Sequence, residues 1–236
     1  MRCALTLAYN GTSYLGSQTQ TQTSNTILGQ LQIVLKKLGI DEKVIASGRT
    51  DKGVHATAQV CHIDLPKHWI DLVKLKRVVN SMLPTAIQVR SVKEVDESFH
   101  ARYSAKKRVY RYIIKASDSN PFESDFIAFY KDADFQTLKK NIKLFIGEHD
   151  FAYFMKSGSD INSTIRVIYS AYAYKHNGLI ILRFEANGFL RAQIRLMVGA
   201  LLKLNAEEIQ AQLLLKKKHN VKLADCNGLY LSKINY

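Results

Sequence analysis

The sequence predicts an α+β protein built from two ferredoxin-like halves, and three observations lead there. The order β-α-β-β-α-β can be read twice along the chain. Three of the four helical stretches carry a single apolar stripe, as expected of helices lying on one face of antiparallel-rich mixed sheets. Asn177-Gly178 separates two alternating runs, the strongest short-range sign of a β-hairpin. The halves are expected over residues 1–104 and 105–236, with a cleft between them.

In the first half, residues 2–9 alternate like a strand. Residues 26–38 follow as a helix with Ile27, Leu28, Leu31, Val34, Leu35 and Leu38 on one stripe. Ser24 or Asn25 is its expected cap and Gly39 its stop. Strands are expected near 43–48 and 57–65. A second helix is expected near 69–82, with Leu72, Leu75, Val79 and Met82 at helical spacing and Pro84 closing it, and a strand over 86–93. In the second half, the β-branched and aromatic run Lys107 to Lys115 reads as a strand and 134–146 as a helix. The hairpin strands are 165–175 and 179–187. A helix over 189–204 and a strand from Gly228 to Ile234 complete the order. Residues 116–133, with Pro121, read as a loop or insertion.

The chain has 236 residues, 47% of them hydrophobic, enough for a sizeable core. No apolar run is long enough for a membrane span, and the first residues do not form a signal segment, so the cytoplasm is the expected location. Thirty-four Lys and Arg face twenty Asp and Glu, a net charge of +14. A field of that sign attracts polyanions, nucleic acid foremost. Cys3, Cys61 and Cys226 fit neither zinc spacing nor a disulfide framework. Glu148-His149-Asp150 lacks the helical His pair of a metal site, and there is no Walker or dinucleotide-binding glycine pattern. A reaction that needs neither a nucleotide nor a redox cofactor fits this pattern. The basic, aromatic strand Arg108-Val109-Tyr110-Arg111-Tyr112 lacks the glycine of an RNA-recognition motif strand.

The candidate chemistry centres on Ser47-Gly48-Arg49-Thr50-Asp51-Lys52-Gly53-Val54-His55-Ala56. An Asp in such a loop is by itself an ordinary turn residue. Here two glycines allow a sharp turn and close approach of another molecule, and Arg49 stands two residues from Asp51. A guanidinium there would hold the carboxylate ionised and oriented, ready to attack carbon or to stabilise an electron-poor sugar. Arg195 sits at the edge of the stripe formed by Leu190, Ile194, Met197, Val198, Leu201 and Leu202. It either pairs with an anion, Asp51 being the expected one, or snorkels to solvent.

The stretch Ser47 to Val60, SGRTDKGVHATAQV, resembles the signature of the tRNA pseudouridine synthases of the A type. Further blocks match in order: Tyr9-Asn10-Gly11-Thr12 with Gly16 and Gln18, NSMLP at 80–84, FHARYSA at 99–105, RVYRY at 108–112, GEHDF at 147–151, ANGFL at 186–190 and GLYL at 228–231. The resemblance implies an isomerase that converts uridine to pseudouridine in the anticodon arm of tRNA, at the family's positions 38–40, without a cofactor, as a homodimer. It implies that Asp51 is catalytic with Arg49 and Arg195, and that Tyr110 stacks on the uracil of a nucleotide flipped from its stack. Lys52, His55, Arg102 and Arg111 are candidate substrate contacts, together with further phosphate contacts from Lys106, Lys107, Arg108, Arg191 and the run Lys216-Lys217-Lys218. Three departures stand out. Ser17 replaces a tryptophan expected at the surface, Gln193-Ile194-Arg195-Leu196 replaces the family's MVRN, and residues 222–227 lack the usual Ala and Pro. The alternative is a non-catalytic tRNA-binding module on the same scaffold.

Overall fold

Alternation of apolar and polar residues produces the first strand, β1 (Arg2–Tyr9), with Cys3, Leu5, Leu7 and Tyr9 buried on one face. The computed structural model describes residues 1–156, 158 and 162–236. Its contacts divide the chain into one unit of Met1–Lys106 with Tyr230–Tyr236, and a second of Lys107–Leu229. The fold is α+β with mostly antiparallel strand pairs.

In the first unit, α1 (Ile27–Lys37), β2 (Ile45–Ala46), β3 (His55–Asp64), α2 (Leu72–Met82) and β4 (Ile87–Glu94) follow β1 in the expected order. β1 lies between β3 and β4, antiparallel to both, and β2 pairs with β3. The cap of α1 is Thr26, not Ser24 or Asn25. Thr26 is the residue with extended backbone whose hydroxyl accepts from Gly29 N–H at 3.1 Å, while the Asn25 amide donates to Ser13 O. Gly39 stops α1 as expected, in a left-handed conformation with φ +72°. α2 begins three residues later than expected because Asp71 caps it, accepting from Lys74 N–H. The preceding Trp69 is spent outside the helix, donating its indole N–H to Leu38 O. Leu75 and Val79 are the buried residues of α2, and Met82 is exposed.

The last strand, β10 (Leu229–Asn235), departs from expectation. It pairs in parallel with β3, Tyr230 opposite His55 and Leu231 opposite Ala56. Residues 230–236 therefore belong to the first unit and not to the half over 105–236. Leu231 and Ile234 are buried, and Tyr236 donates its hydroxyl to Ala101 O. Sequence order assigned this strand to the nearer half, whereas the contacts of residues 230–236 group them with β3.

In the second unit, β5 (Lys107–Lys115) has the expected bounds, and β6 (Ala128–Phe129) pairs with it inside the segment expected to be a loop. The helix expected over 134–146 is α3 (Phe135–Asn141), capped by Asp134, and then tightens to a 3-10 turn over Ile142–Phe145. β7 (Gly147–Asp150) pairs with β8 (Ile165–His176), and β8 with β9 (Leu179–Ala186). The β8–β9 turn is the expected one, with Asn177 at φ +47° and Gly178 at φ +77°. α4 (Gln193–Lys203) starts later than residue 189. Gln193 accepts from Leu190 N–H at 2.7 Å and pins a turn there, and Ala192 is left-handed at φ +59°. α5 (Ala206–Leu213) was missed, although Asn205 and Glu208 form a capping box readable as N-x-x-E. β5 lies beside β9, and Tyr112, Ile114, Leu182 and Phe184 fill the core side of this sheet. No helix among the described residues is long and apolar enough to cross a membrane.

Candidate active site

The loop 47–54 leaves β2 and enters β3, and buried hydrogen bonds fix nearly all of it. Ser47 donates its hydroxyl to Gln59 Oε1 at 2.6 Å, and Gln59 Nε2 donates to Gly48 O at 2.7 Å. Thr50 is gripped from the segment after β1. Its N–H donates to Ser17 Oγ at 2.8 Å, its carbonyl accepts from Ser17 N–H at 3.1 Å, and its hydroxyl bonds the Tyr9 hydroxyl at 2.8 Å. Val54 N–H closes the turn onto Asp51 O, with Gly53 at φ +77° supplying the left-handed corner. Gly11 packs against the same turn, where a Cβ would stand 2.0 Å from Val54 O.

Within this frame Asp51 is half-buried, while Arg49 and Lys52 are exposed. Among the described residues of its unit, the Asp51 carboxylate takes no hydrogen bond and no ion pair. The Arg49–Asp51 pairing expected from their spacing is therefore absent here, because the Arg49 side chain lies out in solvent. The backbone of its neighbours positions Asp51.

His55 is a support of the turn. Its ring is 1% exposed, Nδ1 accepts from Gly11 N–H at 3.1 Å, and it stacks on Tyr230 with centroids 4.6 Å apart. A ring so enclosed is a joint between loops and β10, and offers no face to a phosphate. Arg102 is exposed, its guanidinium over the Tyr103 ring at 5.7 Å, and remains a surface cation.

The second unit carries the other expected residues. Arg195 is half-buried on α4 and its Nε donates to Ala224 O at 2.7 Å, while Ala224 N–H returns a bond to Arg195 O. This two-way tie to the 218–225 segment supports the α4 guanidinium near Tyr112, whose phenol burial pushes far above its usual pKa. Tyr112 donates to Asp225 O at 2.8 Å. Tyr110 meets Phe189 edge-to-face at 5.3 Å. Arg111 does not share that side. Strand alternation sends it to the opposite face of β5 from Tyr110 and Tyr112, opposite Arg183 on β9. Arg183 in turn pairs with Glu185 at 2.6 Å and lies over Tyr172 at 5.4 Å. Arg108 donates to Asn187 O, Lys107 pairs with Glu185 at 3.2 Å, and Arg191 and residues 216–218 are exposed.

The Glu148-His149-Asp150 run is strand β7, with Asp150 accepting from Ala152 N–H. No group of three or more His, Cys, Asp or Glu among the described residues is placed to hold a metal ion. Cys3 and Cys61 are buried, and burial raises the Cys3 thiol to about 11.

The family model described as tRNA pseudouridine synthase matches residues 6–104 and 142–236. The chain belongs to the tRNA pseudouridine synthase family. It is 36% identical over 241 residues to the tRNA pseudouridine synthase A of Campylobacter jejuni (strain RM1221), with all of both chains covered. It is 38% identical over 235 residues to that of Wolinella succinogenes, covering 98% of this chain and 92% of the relative. It is 36% identical over 244 residues to that of an Exiguobacterium species, covering 100% and 98%. A solved chain of a Cbf5-Nop10-Gar1 complex is similar at TM-score 0.40 and 14% identity, over 97% of this chain and 48% of that one.

Set against the family pattern, position 17 is not a surface site. Ser17 is 1% exposed and grips Thr50 from both sides. Sequence reasoning missed Ser17, Tyr9 and Gln59 as parts of the site. The signal that could have found Gln59 was its place in the matching stretch, but that stretch gives no sign that a strand glutamine would turn back onto Ser47 and Gly48.

Proposed function

We propose that this chain isomerises uridine to pseudouridine in tRNA, with the Asp51 carboxylate acting on the sugar or the base. In the reaction the C1′–N1 bond breaks, the uracil turns, and C5 bonds to C1′. The C5 proton leaves to solvent and N1 takes one up, so atoms and charge balance without a cofactor. Attack at C1′, attack at C6 and a glycal route all require a carboxylate against the nucleoside. The observation that carries the reading is a carboxylate on a backbone-clamped turn, in a chain of this family, with no partner of its own in its unit.

The finer parts of the proposal rest on the motif match. The target uridine lies in the anticodon arm and leaves its stack, at a cost of about a few kcal/mol. Tyr110 offers a π-face to the extruded base, Arg195 supplies positive charge to the nucleotide, and the exposed cations Arg49, Lys52 and Arg102 contact phosphate. The net charge of +14 supports binding of a polyanion whose helical parts are read by shape. The enzyme acts as a homodimer in the cytoplasm.

The test uses a tRNA transcript carrying tritium at C5 of its uridines. Release of tritium with pseudouridine appearing in the anticodon arm supports the proposal. Tight tRNA binding with no release identifies a non-catalytic binding module instead.

A further inference from the structure

We propose that Ser17 is a positioning residue for Asp51, an inference that rests on the catalytic reading of that carboxylate. Ser17 is buried to 1% exposure and directs its hydrogen bonds to the catalytic loop and to the first turn of α1. Its Oγ accepts from Thr50 N–H at 2.8 Å and its N–H donates to Thr50 O at 3.1 Å. Its carbonyl accepts from Leu28 N–H at 3.0 Å, in the first turn of α1. One serine thus ties the peptide units on both sides of Thr50, the second of which carries Asp51, to a helix terminus. Gly16, at φ +99°, lets this segment lie against the loop, where a Cβ would be 3.0 Å from Thr50 O and 3.5 Å from Lys52 N.

A carboxylate that takes no bond of its own within its unit keeps its direction only as well as its backbone does. Reacting groups must be held within a fraction of an ångström, and a misplacement of about 1 Å costs about a hundredfold in rate. The hydroxyl that fixes Thr50 N–H is therefore a determinant of turnover, not of tRNA affinity, which surface cations supply.

The experiment compares wild type, Ser17→Ala and Ser17→Cys, with kcat and KM measured by tritium release and tRNA Kd by filter binding. Folding is checked by circular dichroism, and the active fraction by tRNA-binding stoichiometry. Ser17→Ala is expected to lower kcat per binding-competent molecule roughly 10–100-fold, with Kd and KM within about threefold of wild type. Ser17→Cys keeps a weak acceptor of similar shape and is expected to fall between the two. A purely structural serine would reduce the binding-competent fraction and leave kcat per competent molecule at the wild-type value, which would overturn the inference. If Ser17→Ala does not fold, a folded Ser17→Cys with wild-type kcat overturns it equally. A wild type that binds tRNA but releases no tritium overturns the catalytic reading and this inference with it.

Discussion

The motif loop at 47–55 and the strand β5 hold matched residues in opposite ways. In the loop, one frame of buried bonds ties neighbouring residues together. Ser47, Thr50 and His55 all point inward to Gln59, Ser17 and Gly11, and Asp51, Arg49 and Lys52 are left less enclosed. In β5, strand alternation sorts the residues, with Tyr110 and Tyr112 on one face and Arg111 on the other. The difference teaches that a matched block mixes scaffold and chemistry. Contiguity in sequence is informative about shared function in a tight loop and misleading in a strand.

The strand side of the comparison predicts a contrast between its two faces. Tyr110→Ala should lower kcat/KM for tRNA by roughly 10–100-fold, since base stacking on an aromatic ring contributes about 1–3 kcal/mol. Arg111→Ala should stay within about threefold, because an exposed charge on the other face is worth little. Steady-state tritium release on both variants checks the contrast, and equal losses would break the two-face account.

The loop side predicts a contrast between glycines. Gly11→Ala forces a Cβ to 2.0 Å from Val54 O and should destabilise by about 1–3 kcal/mol or more. Gly48→Ala meets nothing within 4 Å and should leave Tm close to wild type. Thermal melts of both variants decide it. A smaller effect is expected at Tyr112→Phe, which removes a buried donor to Asp225 O and should cost about 1–2 kcal/mol in denaturant unfolding.

The smallest effect lies outside both regions, at the Arg2–Asp64 pair, 2.8 Å apart with the carboxylate side chain 49% exposed. The Arg2 hydrogen bond holds the Asp64 carboxyl below its usual range. The pair's contribution is thus complete above the usual carboxylate pKa of about 4 and is lost as pH falls through the lower folded value. Asp64→Asn should lower Tm slightly at neutral pH, and the gap from wild type should close in strong acid.

Much of this was legible in advance for stated reasons. Asn177-Gly178 named its hairpin because only that backbone fits the turn, and the stripes of α1 and α4 named their buried faces. Asp51 stood out through its motif. The partnership of β10 with β3 was not legible, because strand pairing across more than a hundred residues leaves no local mark. Nor was the burial of Ser17, since a serine after a glycine reads as surface loop. β7 was hidden by its composition, since Gly147-Glu148-His149-Asp150 has no β-branched residue and gains its strand form from pairing with β8. The absent Arg49–Asp51 pair shows that spacing in sequence does not fix side-chain direction in a turn.

The most direct measurement replaces the Asp51 carboxylate by its neutral isostere. Asp51→Asn should bind tRNA with wild-type affinity, fold with wild-type Tm, and lose pseudouridine formation by at least about a thousandfold. Tritium release by Asp51→Asn within about tenfold of wild type would contradict the account and move the chemistry to another group.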